Sequence, residues 1–185
     1  MIDYTKSRTV KDNRDNSEMK GVKMIKGGAL NLNEKVVIAL VRVAELFKRR
    51  SSTIFHNHGL SFSQYNVLRL LETAPKGSLS ITQVSKRLLV STPNMSGIAK
   101  RLDKSGFVAR LSDQKDDRKT ILKVTSKGLE VVSNIRHLQE QNVEEFLSCF
   151  SEPEKAEFLE VLKKILELGD YATGHNVSVR ASSLE

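Results

Sequence analysis

Apolar residues recur every three or four positions along most of the chain, which is the spacing of one face of an α-helix. The first run extends from Asn33 to about His58 and contains the apolar positions 36, 40, 43, 47 and 54; Gly59 is expected to end it. Later runs predict five more helices, the last two beginning after Thr125 and Ser151. The pattern therefore predicts a mainly helical protein with six helices.

Capping sequences mark where the middle helices begin. The sequences SFSQ at 61–64 and SITQ at 80–83 match the capping box, in which the serine side chain accepts from a free backbone amide and the glutamine reaches back. Ser91 is a candidate N-cap for the next helix, and Gly106 is expected to end it. Residues 80–106 are therefore predicted to form two helices joined by a tight turn, which is the spacing of a helix-turn-helix.

The period of the pattern changes after Gly106. Residues 107–111 and 120–124 alternate or are rich in β-branched side chains, and the charged segment between them resembles a turn. Two strands around a turn form a hairpin, and a hairpin that follows a helix-turn-helix is a wing. The predicted fold is mainly α with a small β-wing.

Charge is distributed unevenly along the chain. The 185 residues carry a net charge of +8 and have a pI of about 9.6. Residues 84–123 contain ten Lys and Arg against four Asp and Glu, whereas residues 129–170 contain four against ten. A basic helix-turn-helix beside acidic helices indicates that one part of the molecule faces a polyanion such as double-stranded DNA.

The segment STPNMSGIAKRLDKSGFVARLSDQKDDRKTILKVTSKG, residues 91–128, resembles the multiple antibiotic resistance regulator (MarR) family of winged helix-turn-helix proteins. LDKSGFVAR matches the end of the family's recognition helix and the entry to its wing. Asp116-Asp117-Arg118, followed by Val124-Thr125-Ser126-Lys127-Gly128, matches the wing tip and its exit. The resemblance covers about residues 33–169.

This resemblance implies a homodimer in which the first, fifth and sixth helices of each chain interlock above two winged modules. Their broad apolar faces support the same expectation; the alternative is that they cover one another in a monomer. The predicted organisation is a basic arm, a dimerisation helix, a winged helix-turn-helix domain, two dimerisation helices and a tail, at residues 1–30, 31–60, 61–124, 125–170 and 171–185. The partners expected are a pseudo-palindromic operator, a second copy of the chain and a small-molecule effector.

DNA contacts are expected from the start of the fourth helix, where side chains can reach base edges. The candidates are Ser91, Thr92, Asn94, Met95 and Ser96, with Lys100 and Arg101 one turn on. Asn94 can pair with adenine, whereas Ser91 competes as a cap and Ser96 has packing as an alternative role. Phosphate contacts are expected from exposed basic side chains, namely Lys86, Arg87, Lys100, Arg101, Lys104, Lys115 and Lys119.

The resemblance places Arg118 in the minor groove at the wing tip. A narrow A·T-rich groove attracts a guanidinium because its negative potential is concentrated. Asp116 is then expected to stabilise the tip, by orienting the arginine or by bonding backbone amides. The alternative for Arg118 is a surface ion pair.

Sensor chemistry is not predicted from the cysteine or the histidines. Cys149 lies between apolar neighbours, which favours a buried and inert thiol. His56 and His58 are two positions apart and so do not share a helix face, and packing or solvation is the expected role. No metal or cofactor is expected. The absence of an apolar secretion segment or membrane span favours the cytoplasm.

An enzyme is not expected, because the sequence contains no Gly-rich phosphate loop, no His-Glu-x-x-His and no nucleophile elbow. The function expected is a site-specific transcriptional regulator, a repressor released by a small molecule. The alternative is a nucleoid-type protein that binds DNA with little sequence preference. The ratio of specific to non-specific affinity separates the two.

Overall fold

A computed structural model describes residues 30–113 and 119–172, with side chains described to residue 168. Six α-helices, one 3-10 turn (Pro75–Gly77) and three strands occur in these ranges: α1 (Leu32–His56), α2 (Phe62–Glu72), β1 (Ser78–Ser80), α3 (Ile81–Arg87), α4 (Thr92–Lys104), β2 (Val108–Ser112), β3 (Thr120–Val124), α5 (Ser126–Phe146) and α6 (Glu152–Ala172). The predicted helices and both predicted strands are confirmed. Nearly all of the predicted arm and nearly all of the predicted tail lie outside the described residues.

The chain divides into two compact units at Ile38, and the first contributes only the start of α1 to the described ranges. This start is a capping box, which was not among the predicted caps. The Glu34 amide donates to Asn31 Oδ1 (3.0 Å), and the Asn31 amide donates to Glu34 Oε2 (2.8 Å). The two bonds satisfy amides that have no partner within the helix, so the helix begins one residue before the predicted position.

The core of the second unit lies beneath α2, α3, α4 and the small sheet. The strand order is β1-β3-β2, and both pairs are antiparallel, with Leu122 of β3 opposite Leu79 on one side and Arg110 on the other. Leu122 is fully buried. Strand β1 was missed from the sequence because three residues, Ser-Leu-Ser, are too few to show an alternation.

The helix ends follow the capping chemistry of the sequence. Ser61 and Ser80 each form a complete capping box. Gly59 ends α1 in a left-handed conformation (φ 72°), with the Leu60 amide bonded to the Phe55 carbonyl. The sequence SEPE at 151–154 also matches a capping box, but the cap of α6 differs from that pattern. The Ser151 hydroxyl donates to Glu154 Oε2 (2.7 Å), because a carboxylate is a stronger acceptor than a hydroxyl.

Helix α5 joins the core through a narrower face than the sequence predicted. Its apolar spacing predicts one stripe at positions 129, 132, 135, 138, 143, 146 and 150. Val132 and Ile135 are fully buried, whereas Leu129, Leu138, Val143 and Phe150 are exposed. Near its end, Asn142 accepts from Arg50 Nε (2.6 Å) and donates to the buried Ser51 Oγ (3.0 Å). This polar contact fixes α5 to α1.

Helix α6 has no buried residue among its described side chains. Together with parts of α1 and α5 it leaves a large apolar area open to water in the second unit: Val41, Val43, Leu46, Leu138, Val143, Phe158, Leu159, Val161, Ile165, Leu166 and Leu168. An apolar area of this extent is typical of a surface that another protein chain covers.

Candidate DNA-binding interface

The recognition helix α4 has one buried face and one polar face. Met95, Ile98, Ala99 and Leu102 follow the i, i+3, i+4, i+7 spacing and are all buried. Ser91, Thr92, Asn94, Lys100 and Arg101 are all exposed, and Ser96 is half-buried at the edge. Hydrogen-bonding groups and two cations therefore share the outer side of one short helix.

Met95 does not belong to this exposed set, contrary to the sequence prediction. Its side chain is 0% exposed and lies in the core, so it is not available to a thymine methyl group. The prediction was based only on the location of Met95 in the first turn of the recognition helix. Whether a side chain is buried depends on the helix face on which it lies, and Met95 lies on the same face as Ile98, Ala99 and Leu102.

Ser91 occupies the N-cap position, as predicted, but its side chain makes no capping hydrogen bond. An N-cap side chain accepts from the second or third amide of a helix. The second residue here is Pro93, which has no amide hydrogen, so one of the two donors is missing. The exposed Ser91 hydroxyl is thus left for another partner.

The turn between α3 and α4 is held by backbone bonds. The Leu89 amide donates to the Lys86 carbonyl (3.3 Å), and the Val90 amide donates to the Ser85 carbonyl (3.0 Å). Leu89 is left-handed in this turn (φ 50°) and its side chain is 76% exposed. Ser85 also donates to the Val90 carbonyl through its hydroxyl. These bonds set where α4 begins.

The wing is described up to the base of its turn. The Asp113 amide donates to the Lys119 carbonyl (2.9 Å), which closes the β2–β3 hairpin, and Lys119 is exposed. Lys115, Asp116 and Arg118 fall within residues 114–118 and lie outside the described ranges. The roles predicted for these three side chains therefore stay predictions.

A groove of about 650 Å³ opens beside α2, at the side of the winged module where α5 packs. It is lined by residues of α2, α5 and the start of α6, namely Tyr65, Asn66, Arg69, Arg136, Gln139, Glu140, Val143, Glu144, Leu147, Glu152 and Lys155. Sequence reasoning could not identify these residues, because they come from three elements far apart in the chain.

Charged and aromatic groups are fixed along this groove. Glu72 receives hydrogen bonds from both Arg69 and Arg136, which ties α2 to α5. The Tyr65 ring stacks on Phe55 with centroids 4.1 Å apart. Burial raises the pKa of the Tyr65 hydroxyl, and the neighbouring Arg69 guanidinium acts in the opposite direction.

Cys149 is exposed in the turn after α5, so the predicted burial of its thiol is wrong. The reason is that α5 ends at Phe146, three residues before the cysteine. His56 is exposed and His58 half-buried. Within the described ranges, no three His, Cys, Asp or Glu side chains come together as a metal site. No helix there combines the length and apolar character that crossing a membrane requires.

Comparison with known proteins agrees with this geometry. A model of the MarR family matches residues 58–119. The uncharacterized HTH-type transcriptional regulator YkoM of Bacillus subtilis (strain 168) is 27% identical over 142 residues, which are 73% of this chain and 91% of YkoM.

Two solved structures share the fold. A mutant MarR from E. coli complexed with operator DNA has a TM-score of 0.66 at 20% identity, covering 74% of this chain and 99% of that one. Bordetella bronchiseptica BpsR, described with regulation of DNA binding by 6-hydroxynicotinic acid, has a TM-score of 0.66 at 22% identity, covering 75% and 97%. The family model, the regulator relatives and the winged module together identify residues 58–119 as a winged helix-turn-helix domain of the MarR type, in a chain similar to bacterial transcriptional regulators.

Proposed function

We propose that the protein is a homodimeric repressor that binds a pseudo-palindromic operator with α4 and the wing. The observation that carries this proposal is the outer side of α4, where Thr92, Asn94 and Arg101 are exposed opposite a buried apolar face. A helix of this kind, with small polar side chains in its first turn, fits the major groove with those side chains at base edges.

The exposed groups divide into base contacts and phosphate contacts. Asn94 offers a bidentate pair to adenine, and Thr92 offers a hydroxyl and a methyl group. Lys100 and Arg101 neutralise phosphate, and the uncapped Ser91 hydroxyl and Ser96 donate to phosphate oxygens. In the wing, Lys115 and Lys119 are assigned to phosphate, Arg118 to the minor groove, and Asp116 to the support of Arg118.

The dimer is supported by the exposed apolar area on α1, α5 and α6. We assign this area to a second copy of the chain, because the resemblance to the MarR family implies a homodimer with two winged modules. The acidic balance of residues 129–170 suits helices that stay away from phosphate, whereas the module at 61–124 carries the basic charge. This division supports the domain boundaries predicted from the sequence.

Release from DNA is assigned to a small molecule in the groove beside α2. The groove is lined by α2, α5 and the start of α6, so a ligand there that prefers one arrangement of α5 against α6 shifts the population of the DNA-binding state. BpsR is regulated by 6-hydroxynicotinic acid, which supports effector control without identifying the ligand of this chain. We assign no enzymatic activity and place the protein in the cytoplasm, where it meets chromosomal DNA.

Fluorescence anisotropy with two duplexes near physiological salt tests the proposal. One duplex comes from the region upstream of the protein's own gene, or from selection if that region does not bind, and the other is scrambled. We expect a preference of about a thousandfold or more for the specific duplex. Equal weak binding to every selected sequence would instead favour a nucleoid-type protein with little sequence preference.

Variants of α4 sharpen this test. Asn94→Ala is expected to lower affinity for the specific duplex by about 1–3 kcal/mol while scarcely changing non-specific binding. Lys100→Ala is expected to weaken both and to reduce the salt slope by about 1. Lys164→Ala, which removes the same charge from α6, is the control, and an equal loss in that variant would contradict the assignment.

A further inference from the structure

The end of α4 and the start of α5 meet at a junction that the proposed DNA contacts do not use. Helix α4 ends with Gly106 in the left-handed conformation (φ 73°). The Gly106 amide donates to the Asp103 carbonyl (2.9 Å), and the Phe107 amide donates to the Leu102 carbonyl (3.0 Å). This ending leaves the carbonyls of residues 105, 106 and 107 available to groups outside α4.

Thr125 binds two of these carbonyls. Its hydroxyl donates to the Gly106 carbonyl (2.7 Å), its amide donates to the Phe107 carbonyl (3.1 Å), and its oxygen accepts from the Gly128 amide (3.1 Å). The last of these bonds is the N-cap of α5. A single side chain therefore starts α5 and holds the end of α4.

Lys127 binds the remaining carbonyl. Its ammonium nitrogen donates to the Ser105 carbonyl (2.9 Å) and lies 5.0 Å from the centroid of the Phe107 ring. A cation at the C-terminus of a helix is favourable because the unpaired carbonyls there carry partial negative charge. The ring contact adds a second attraction from the face of the aromatic group.

Gly128 allows the two segments to approach so closely. A Cβ atom at this position would lie 2.2 Å from the Phe107 carbonyl oxygen and 2.9 Å from Val124 Cγ2. Any side chain would thus push the start of α5 away from the end of α4. The contact is close enough to fix both the distance and the orientation of the two helices.

We propose that Thr125, Lys127 and Gly128 form a rigid joint that makes the recognition helix move with α5 as one body. The inference rests on the proposed dimer, in which α5 belongs to the dimerisation helices. The joint then converts a change in the orientation of α5 into a change in the spacing of the two recognition helices. It acts as a positioning element and makes no contact with DNA itself.

The test uses Lys127→Met, which keeps the aliphatic stem over Phe107 and removes the ammonium donor. Lys164→Met is the matched control, because Lys164 is an exposed lysine of α6, outside the proposed DNA contacts, that loses the same charge without altering the joint. Both are compared with the wild-type dimer on the selected operator and on an operator with one base pair inserted between the half-sites.

Wild type and Lys164→Met are expected to bind the native spacing at least about tenfold better than the altered one, since one base pair moves a half-site by about 3.4 Å. In Lys127→Met the ratio of the two affinities is expected to be about fivefold smaller than in wild type, which corresponds to the loss of one hydrogen bond. A purely structural loss would lower both affinities together and leave their ratio unchanged. If Lys127→Met keeps the wild-type ratio of the two affinities, the proposed joint is wrong.

Amide hydrogen exchange separates failure of the joint from failure of the proposed function. If the wild-type protein binds both operators with equal affinity, the proposed dimer on two half-sites is wrong. Hydrogen exchange then tests the joint in the absence of DNA. Lys127→Met is expected to speed exchange at the Thr125 and Gly128 amides about fivefold or more, while Ile135 in the middle of α5 is unchanged. Unchanged exchange at the two junction amides would also overturn the joint.

Discussion

Leu89 occupies a position where the same chain elsewhere uses glycine. The ends of α1, α3 and α4 share one pattern of backbone bonds, and the left-handed residue is Gly59, Leu89 and Gly106 respectively. A left-handed conformation costs a leucine about 1–2 kcal/mol, because its Cβ approaches the following carbonyl. Leu89 recovers little of this cost by burial, since its side chain is exposed.

Leu89→Gly is therefore expected to raise the free energy of unfolding by about 0.5–1 kcal/mol, the relief of strain being partly offset by the freer unfolded glycine. Denaturant unfolding at a fixed protein concentration measures the change. Gly106→Ala is the opposite control and is expected to lower stability by about 1 kcal/mol. A clear loss of stability in Leu89→Gly would show that the exposed leucine is held by contacts.

Met95 and Asn94 are neighbours in sequence with opposite surroundings, and this contrast gives the second prediction. Met95→Ala removes a fully buried side chain and is expected to cost about 2–5 kcal/mol of stability. Asn94→Ala is expected to change stability by no more than about 0.5 kcal/mol, because its side chain is exposed. Equal effects in unfolding experiments would contradict the phase assigned to α4.

At the scale of the element, the start of α6 depends on an ionised carboxylate. Hydrogen bonds from the Ser151 hydroxyl and amide lower the pKa of Glu154. A carboxylate whose pKa is lowered by folding stabilises the folded chain, and the effect is complete at pH values above the usual carboxyl pKa. The stabilisation is lost as the pH falls through the lowered pKa, where the carboxylate becomes protonated. Glu154→Gln should thus melt below wild type at pH 7 and approach it at acidic pH.

Thermal unfolding of both proteins at several pH values from neutral to acidic checks this expectation. Glu157→Gln, one turn on in the same helix and also exposed, serves as the control for loss of a charge. A gap between wild type and Glu154→Gln that stays constant down to acidic pH would show that the cap does not depend on ionisation.

The elements that sequence patterns predicted well are those with a repeated signal. Helices of three or more turns repeat their apolar spacing, and the serine caps mark their starts, so the helix-turn-helix and the wing were predicted closely. Strand β1 carries no repeat, and its pairing with β3 is a contact between residues about 43 positions apart. Such contacts depend on tertiary packing that no local pattern records.

Some features of the candidate site could likewise be predicted from the sequence, and others could not. Exposed cations and the N-terminal residues of α4 follow from position and charge, and they were predicted. The placement of Met95 required the phase of the whole helix, and the joint required knowing that Thr125 and Lys127 meet the end of α4, some 20 residues earlier. The thiol of Cys149 was misplaced because the end of α5 has no glycine to mark it.

At the scale of the molecule, the exposed apolar area on α1, α5 and α6 predicts that assembly precedes DNA binding. Leu166→Glu, in the exposed apolar set of α6, is expected to produce a monomer, because a buried unpaired carboxylate is unfavourable. The molar mass from light scattering checks this, and affinity for the operator should fall with it.

Lys164→Glu is the control for this variant, since residues two positions apart face nearly opposite sides of a helix. It also introduces a carboxylate, yet a dimer is expected. A dimeric Leu166→Glu protein would contradict the proposed interface, and a monomeric Lys164→Glu protein would show that the interface surrounds α6 on both sides.

Cys149 offers a direct view of the dimer in solution. It is the only cysteine of the chain, and its side chain is exposed in the turn between α5 and α6. A thiol-reactive spin label would therefore attach at a single site without prior mutagenesis, and a dimer would carry two labels. The dipolar coupling between them would give the distance between the two turns, with and without DNA, in the native sequence.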